Sequence, residues 1–96
     1  MLNVYKIFYR CGWPAQTGIT VIAQEENIPS GWSNALGARW HNNGGVKAAR
    51  DKLAPLYGQS LVLESAILLR GEAAQRELEK IDPETGVLKK KARKAR

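Results

Sequence analysis

The strongest chemical signal in the sequence is a cluster of positive charges at its C-terminal end. Six of the 15 lysines and arginines lie in the last eight residues, among which there is no acidic residue. We call them the C-terminal cations: Lys89, Lys90, Lys91, Arg93, Lys94 and Arg96. Such a cluster attracts the phosphates of DNA or RNA, and because it has no aromatic side chain we expect it to bind them without sequence preference. A solubilising tail or, in a eukaryote, a nuclear-import signal has the same composition.

A second candidate region runs from Ile28 to Gly45 and is rich in tryptophan, asparagine and glycine. Trp32 and Trp40 stand there without the regular apolar spacing of a core element. They are therefore candidates for stacking on a base or for anchoring a protein interface, and Asn42 and Asn43 are assigned to the same interface. The alternative is that each tryptophan fills one end of a small core.

The same region contains a cation, a histidine and a glycine pair. Arg39 is expected to contact phosphate beside the two tryptophans. His41 is the only histidine, and no cysteine or second histidine stands at metal-ligand spacing from it. Gly44 and Gly45 precede a helix, where backbone N–H groups could bind a phosphate, although a flexible turn explains the two glycines equally well.

The charge outside the C-terminal cluster is balanced. Residues 1–86 contain nine basic and nine acidic side chains, so the net charge of +6 comes from the last ten residues. This division predicts a single domain over residues 1–83 and a flexible basic arm over residues 84–96. The lone Cys11 and the lack of a signal-peptide pattern or a long apolar run predict an intracellular, cytoplasmic protein with no membrane partner.

The first part of the chain predicts a β-hairpin. Residues 3–11 alternate, and positions 5, 7, 9 and 11 form the better core face. A turn rich in glycine and proline separates them from a second strand over residues 18–24. The two strands are close enough in sequence to pair in antiparallel fashion.

The rest of the chain predicts helices around a third strand. We expect a short helix over residues 33–41, a firmer one from Val46 to about Ala54, and an end or kink at Pro55. Residues 60–70 are apolar on both faces apart from Glu64 and Ser65, so they could form a central strand or a helix that runs on into residues 72–81. The glycines at 58 and 71 bracket the segment and favour the strand, and residues 71–81 then favour a last helix. The predicted fold is α+β in the order β-β-α-α-β-α, a hairpin and a third strand packed against two or three short helices.

Several short motifs resemble those of the GIY-YIG nuclease domain. The segment 3–7, Asn-Val-Tyr-Lys-Ile, is similar to the first motif of that family, and the segment 16–18, Gln-Thr-Gly, stands at the spacing of its second. Arg39 and Trp40 resemble the arginine-bearing helix, and Glu77 is placed like the metal-binding glutamate. The order of the elements is similar too. The first two residues of the first motif, and the first residue of the second, depart from the family's glycine, isoleucine and tyrosine.

This resemblance implies the cleavage of phosphodiester bonds in DNA. Tyr5 would help to activate water, Arg39 would stabilise the phosphate, and Glu77 would hold a divalent cation such as Mg²⁺.

Three classes of function are open. The first, which the sequence favours, is a non-catalytic nucleic-acid-binding protein without a cofactor, in which the C-terminal cations and Arg39 contact phosphates. The second is a small regulator or inhibitor, of the kind encoded by phages and mobile elements, that binds a host protein through Trp32, Arg39 and Trp40. The third is the metal-dependent nuclease that the resemblance implies, for which Mg²⁺ would be required.

Overall fold

The computed structural model describes residues 2–29, 31–32 and 38–89. One antiparallel sheet contains β1 (Asn3–Cys11), β2 (Gln16–Gln24), β3 (Gly31–Trp32) and β4 (Val62–Leu69), in the spatial order β2-β1-β4-β3. The helices are α1 (described over residues 38–41), α2 (Gly44–Tyr57) and α3 (Gly71–Lys80). The predicted α+β class and the order β-β-α-α-β-α are confirmed, and the two-residue β3 is an addition at the edge of the sheet.

The hairpin forms as expected, with β1 and β2 paired along their whole length. Asn3 lies opposite Gln24, and Cys11 lies opposite Gln16. β2 therefore begins before the predicted start at residue 18, because Gln16 and Thr17 extend the ladder toward the turn.

The side chains of β1 alternate between two faces of the sheet. The face that carries Tyr5, Ile7, Tyr9 and Cys11 is called the closed face, and the face that carries Val4, Lys6, Phe8 and Arg10 is called the open face. β4 lies on the other side of β1, and a β-bulge between Phe8 and Tyr9 shifts its register. The two faces of the sheet pack against different parts of the chain.

The closed face is covered by α1 and α2. These helices and the strands share one core, whose largest fully buried side chains are Trp40, Ile7, Ile22, Leu53, Leu61, Leu63 and Val46. Full burial of such a side chain contributes about 1.5–3 kcal/mol relative to its exposure, so this layer holds most of the apolar stabilisation.

Helix α2 is longer than predicted at both ends. It begins at Gly44, because the Asn43 side chain caps it, and it continues past Pro55 to Tyr57. Of the two outcomes expected at Pro55, an end of the helix does not occur, because a proline in the last turn removes only one backbone bond, and the Gly58 N–H still donates to the Ala54 carbonyl at 2.7 Å. Among the described residues, no helix is long and apolar enough to cross a membrane.

One end of the open face is covered by α3 and the segment that follows it. Val4, Val21 and Ala23 are buried there against Ile81, and Ala74 of α3 packs on the same cluster. The chain then returns to the sheet, where Val87 is 7% exposed.

The packed part of the chain therefore extends beyond the predicted boundary at residue 83. Val87 bridges Ile22 of β2, Leu88 bridges Ile81, and the Lys89 N–H donates to the Lys80 carbonyl at 2.9 Å. Residues 84–89 thus belong to the fold rather than to a separate arm. Residues 90–96, on which the rest of the predicted arm falls, lie outside the described residues.

Candidate nucleic-acid interface

Trp40, which the sequence places in an interface, is a core residue. Its side chain is 1% exposed, and its Nε1 donates to the Pro29 carbonyl at 2.8 Å. The ring also meets the edge of His41, with 5.3 Å between the ring centroids. Trp40 therefore fixes the connection between β2 and α2 and cannot anchor a partner.

Asn43 is likewise structural. Its Oδ1 accepts from the backbone N–H of Gly45 at 2.7 Å and of Val46 at 3.3 Å, which is the usual action of an N-cap asparagine. The Gly45 N–H is thus occupied, and the predicted phosphate site at Gly44 and Gly45 is not supported. Gly45 has another role, because a Cβ on this residue would collide with the Asn27 carbonyl.

Two other predicted contact residues of this region lie at the surface. Arg39 on α1 and Asn42 after it are exposed, so both can meet a ligand. The side chain of Trp32 lies outside the described residues, as do the C-terminal cations other than Lys89.

The three residues that the nuclease resemblance groups together are not brought together. Tyr5 is 3% exposed on the closed face, where its hydroxyl accepts from the Ile28 N–H at 3.0 Å. Glu77 lies on α3 beside the open face, with its carboxylate 3.8 Å from the Lys80 Nζ. Arg39 adjoins Trp40, whose ring packs into the closed-face core. The sheet therefore separates Tyr5 and Arg39 from Glu77, and the described residues contain no group of three or more His, Cys, Asp or Glu that could hold a metal ion.

The other end of the open face is accessible. Ile19 of β2 is 57% exposed and Ile67 of β4 is 46% exposed, while Phe8 between these strands is partly buried. Ile19 lies opposite Phe8, and Ile67 lies opposite Lys6. The Lys6 Nζ stands 5.6 Å from the centre of the Phe8 ring, within the range of a cation–π contact. We call Lys6, Phe8, Ile19 and Ile67 the exposed patch.

A groove connects the exposed patch with α3. Its first part, about 370 Å³, is lined by residues that include Lys6, Ile19, Arg76, Glu77 and Leu88. Ile19 also lines a second depression of about 530 Å³ toward the hairpin turn, together with Phe8, Thr17 and Glu64. The groove is therefore lined by apolar side chains together with ionised side chains of both signs.

The charges around the groove are only partly neutralised. Arg10 pairs with Glu64 at 3.4 Å, Arg76 with Glu72 at 3.8 Å, and Lys80 with Glu77 at 3.8 Å. Among the described residues, neither Lys6 nor Lys89 has a carboxylate within salt-bridge distance. Lys89 follows Leu88, which lines the groove, so the cationic end of the chain starts beside it.

Trp13, in contrast to Trp40, is exposed. It is 92% exposed in the turn between β1 and β2, next to the cis bond that joins it to Pro14. Its glycine and proline neighbours mark a turn in the sequence, and this local signal could have distinguished it from Trp40.

Tyr9 and Tyr57 form a pair at the outer end of the closed face. Their ring centroids are 4.5 Å apart, and Gly18 leaves room for the Tyr9 ring, which a Cβ there would meet. Burial, followed by the hydrogen bond with Tyr57, raises the pKa of Tyr9 to about 12. The Tyr9 phenol therefore stays protonated to a higher pH than an ordinary tyrosine does.

No family model, no curated protein and no solved structure matches this chain. A functional assignment therefore depends on the chemistry of its own residues.

Proposed function

We propose that this protein is a non-catalytic nucleic-acid-binding protein that holds phosphates with the C-terminal cations and with Lys6 at the rim of the groove. One observation carries the proposal. The C-terminal cations begin beside the groove, because Leu88 lines the groove and the Lys89 N–H donates to the Lys80 carbonyl at the end of α3.

Charge supports the same proposal. The body of the protein is neutral, so its attraction for a polyanion is concentrated where the C-terminal cations begin. Lys6 adds a cation in the groove without a carboxylate partner among the described residues. Arg39 lies on α1, which covers the closed face. It therefore contributes to binding only if the ligand extends from the groove around the edge of the sheet.

The test is the salt dependence of binding to labelled DNA and RNA, measured by fluorescence anisotropy. Deleting residues 90–96 removes five cations and leaves the packed residues 84–89 in place. The slope of log K against log salt should fall by up to about 3.5–4.5, since each neutralised phosphate contributes roughly 0.7–0.9. Failure of the full-length chain to bind either nucleic acid at low salt would refute the proposal.

A matched pair of single substitutions tests whether the nucleic acid binds at the groove. Lys6→Gln should reduce the slope by about 0.7–0.9, because it removes one phosphate contact. Lys47→Gln removes an exposed cation from α2, on the other side of the sheet, and should leave the slope unchanged. Equal effects of the two substitutions would contradict binding at the groove.

Catalysis is tested in the same samples. Since Tyr5 and Glu77 lie on opposite faces of the sheet, we expect supercoiled plasmid to remain intact with Mg²⁺ or Mn²⁺. Nicking that is lost in Glu77→Ala would overturn the non-catalytic assignment.

A second candidate function is supported by Trp13. A side chain of this kind that is 92% exposed is suited to anchor a protein partner, because tryptophan is enriched among interface residues that dominate binding energy. The protein would then act as a small regulator of a host protein. A single stoichiometric partner retained by the wild type and by Leu2→Ala, but lost in Trp13→Ala, would favour this function.

A further inference from the structure

The outer edge of β2 has a neighbouring backbone along only one part of its length. β2 is the last strand in the order β2-β1-β4-β3, so one of its edges faces away from the sheet. The segment 86–87 covers that edge beside Ile22 and Ala23. In the part of the chain that the structure describes, no backbone group pairs with the outer side of residues 16–20. We call residues 16–20 the free edge.

The backbone groups of the free edge point away from the sheet at alternate residues. The Ala23 N–H points outward, because it donates to the Gly86 carbonyl rather than to β1. The direction of these groups alternates along a strand, and the pairing of β1 with β2 is continuous from Gln24 to Gln16. The N–H and C=O groups of Thr17 and Ile19 therefore also point outward, where a further strand can pair with them.

The composition of β2 does not protect this edge. Its nine residues, Gln-Thr-Gly-Ile-Thr-Val-Ile-Ala-Gln, include no charged side chain and no proline. Lysine, proline and bulges are the usual devices that keep an edge strand from pairing with another chain. The interior strand β1 carries Lys6 and Arg10, and β4 carries Glu64. Charge is thus absent from the strand whose edge it would protect.

The free edge is complementary to itself. When a strand pairs with its own copy across a two-fold axis, each residue meets a residue of the same short segment, so any charge would lie near a like charge. An antiparallel pairing centred on Gly18 would place Thr17 of one copy opposite Ile19 of the other, and their outward N–H and C=O groups would bond in pairs. The pairing would also cover the Ile19 side chain, which is 57% exposed.

We propose that two copies of this protein pair through the free edge and form a symmetric dimer, in which two four-stranded sheets become one. Residues 16–20 span about 17 Å in an extended strand. A contact of this length is at the small end of specific interfaces, so the dimer should be weak and reversible. Because Ile19 lines both parts of the groove, the pairing would bring the grooves of the two copies side by side.

The experiment measures the mass of the full-length protein by analytical ultracentrifugation from about 10 µM to about 1 mM. We expect the mass to rise with concentration from that of one chain toward that of two, and no further, because a two-fold pairing is closed. Amide hydrogen exchange then locates the contact, since the N–H groups of Thr17 and Ile19 should exchange more slowly at high concentration. The samples contain no nucleic acid, so the result is independent of the proposed function.

Two pairs of variants assign the association to the free edge. Ile19→Lys brings like charges together across the pairing and should abolish the dimer. Ile67→Lys adds the same charge at another exposed position of the open face, on β4, and should leave the dimer intact.

The second pair acts on the backbone. Thr17→Pro removes an outward N–H and none of the bonds to β1, and it should raise the dissociation constant about fivefold or more, because symmetry removes two hydrogen bonds at once. Thr17→Val keeps the N–H and should not change the dissociation constant. Circular dichroism of the same samples checks that each variant is folded.

Three results would overturn the proposal. The first is a wild-type protein that stays monomeric at the highest concentration, which would leave the free edge to an extended segment of another protein. The second is a dimer that Ile19→Lys leaves intact or that Ile67→Lys breaks equally, because the contact would then not lie at the edge of β2. The third is slower exchange confined to residues outside the free edge. None of the three bears on phosphate binding.

Discussion

Ile7 and Ile22 on the closed face are fully buried, whereas Ile19, close by on β2, turns to the open face and is 57% exposed. The same two strands thus serve a sealed core on one side and an accessible surface on the other. α2 lies across the closed face, while α3 and the segment after it cover only the Val4 end of the open face.

The segment of unusual composition and the candidate binding surface are different parts of this molecule. In the region 28–45, three of the described residues close the core: Trp40 fills it, Asn43 starts the helix above it, and Gly45 allows close contact. The candidate binding surface lies instead on an ordinary-looking strand pair. The predictions below compare the two faces, from the largest expected effect to the smallest.

Trp40→Ala should be the most damaging substitution. Loss of a fully buried tryptophan leaves a large cavity and an unpaired Pro29 carbonyl, and should cost about 3–5 kcal/mol in the free energy of unfolding. Urea denaturation followed by circular dichroism measures it. Trp13→Ala is the control and should change stability by less than about 0.5 kcal/mol, because its side chain is 92% exposed. Similar losses in both variants would contradict the difference in burial.

Gly45→Ala should cost about 1–3 kcal/mol, because its Cβ would collide with the Asn27 carbonyl and push two backbone segments apart. Its neighbour Gly44 offers a matched control, since a Cβ there meets nothing within 4 Å. Gly44→Ala should be neutral or slightly stabilising. The same denaturation experiment reports both, and a loss shared by the two variants would point to a need for flexibility rather than to close packing.

Asn43→Ala should cost about 1 kcal/mol through loss of the helix cap. Asn42→Ala, at the exposed position before it, should have no measurable effect on unfolding. If Asn42→Ala were instead the more damaging of the two, the capping assignment would be wrong. In that event Asn43 would be available for the interface that the sequence predicts.

Alkaline pH should weaken the closed face through Tyr9. Its pKa is raised to about 12 in the folded protein against about 10 when unfolded, so folding disfavours the ionised phenol. The associated stability is complete below about pH 10 and is lost as the pH rises toward 12. Tyr9→Phe should show a shallower loss of stability over this interval. An identical pH profile in the variant would contradict the burial of this phenol.

Ile19→Thr on the open face should have the smallest effect on folding, within about 0.5 kcal/mol, because the side chain already meets solvent and threonine suits a strand. Because Ile19 lines the groove, the substitution should instead lower the affinity for labelled nucleic acid. A large loss of stability would show that the exposed patch belongs to the core after all.

The sequence predicted the elements well because their signals are local. The alternation of residues 3–11 identified β1 and its core face, and glycines at 58 and 71 bracketed β4. The burial of Trp40 depends on which distant segments pack around its ring, and no local pattern carries that information. The exposed patch escaped notice for a related reason: Lys6 and Phe8 are visible in the alternation, but how far α3 covers them depends on its docking.

The bridge between Val87 and Ile22 has a consequence for how molecules of this protein meet. β2 is the outer strand of the sheet, and such a strand offers unpaired backbone groups to any other chain. Here the Ala23 N–H already donates to the Gly86 carbonyl at 2.8 Å, and Val87 occupies the position beside it. A chain cut after Pro83 would expose these backbone groups at the Ile22 end of the edge and offer them to strand addition by a second molecule. The segment that leads to the C-terminal cations thus also shields this end of the outer strand.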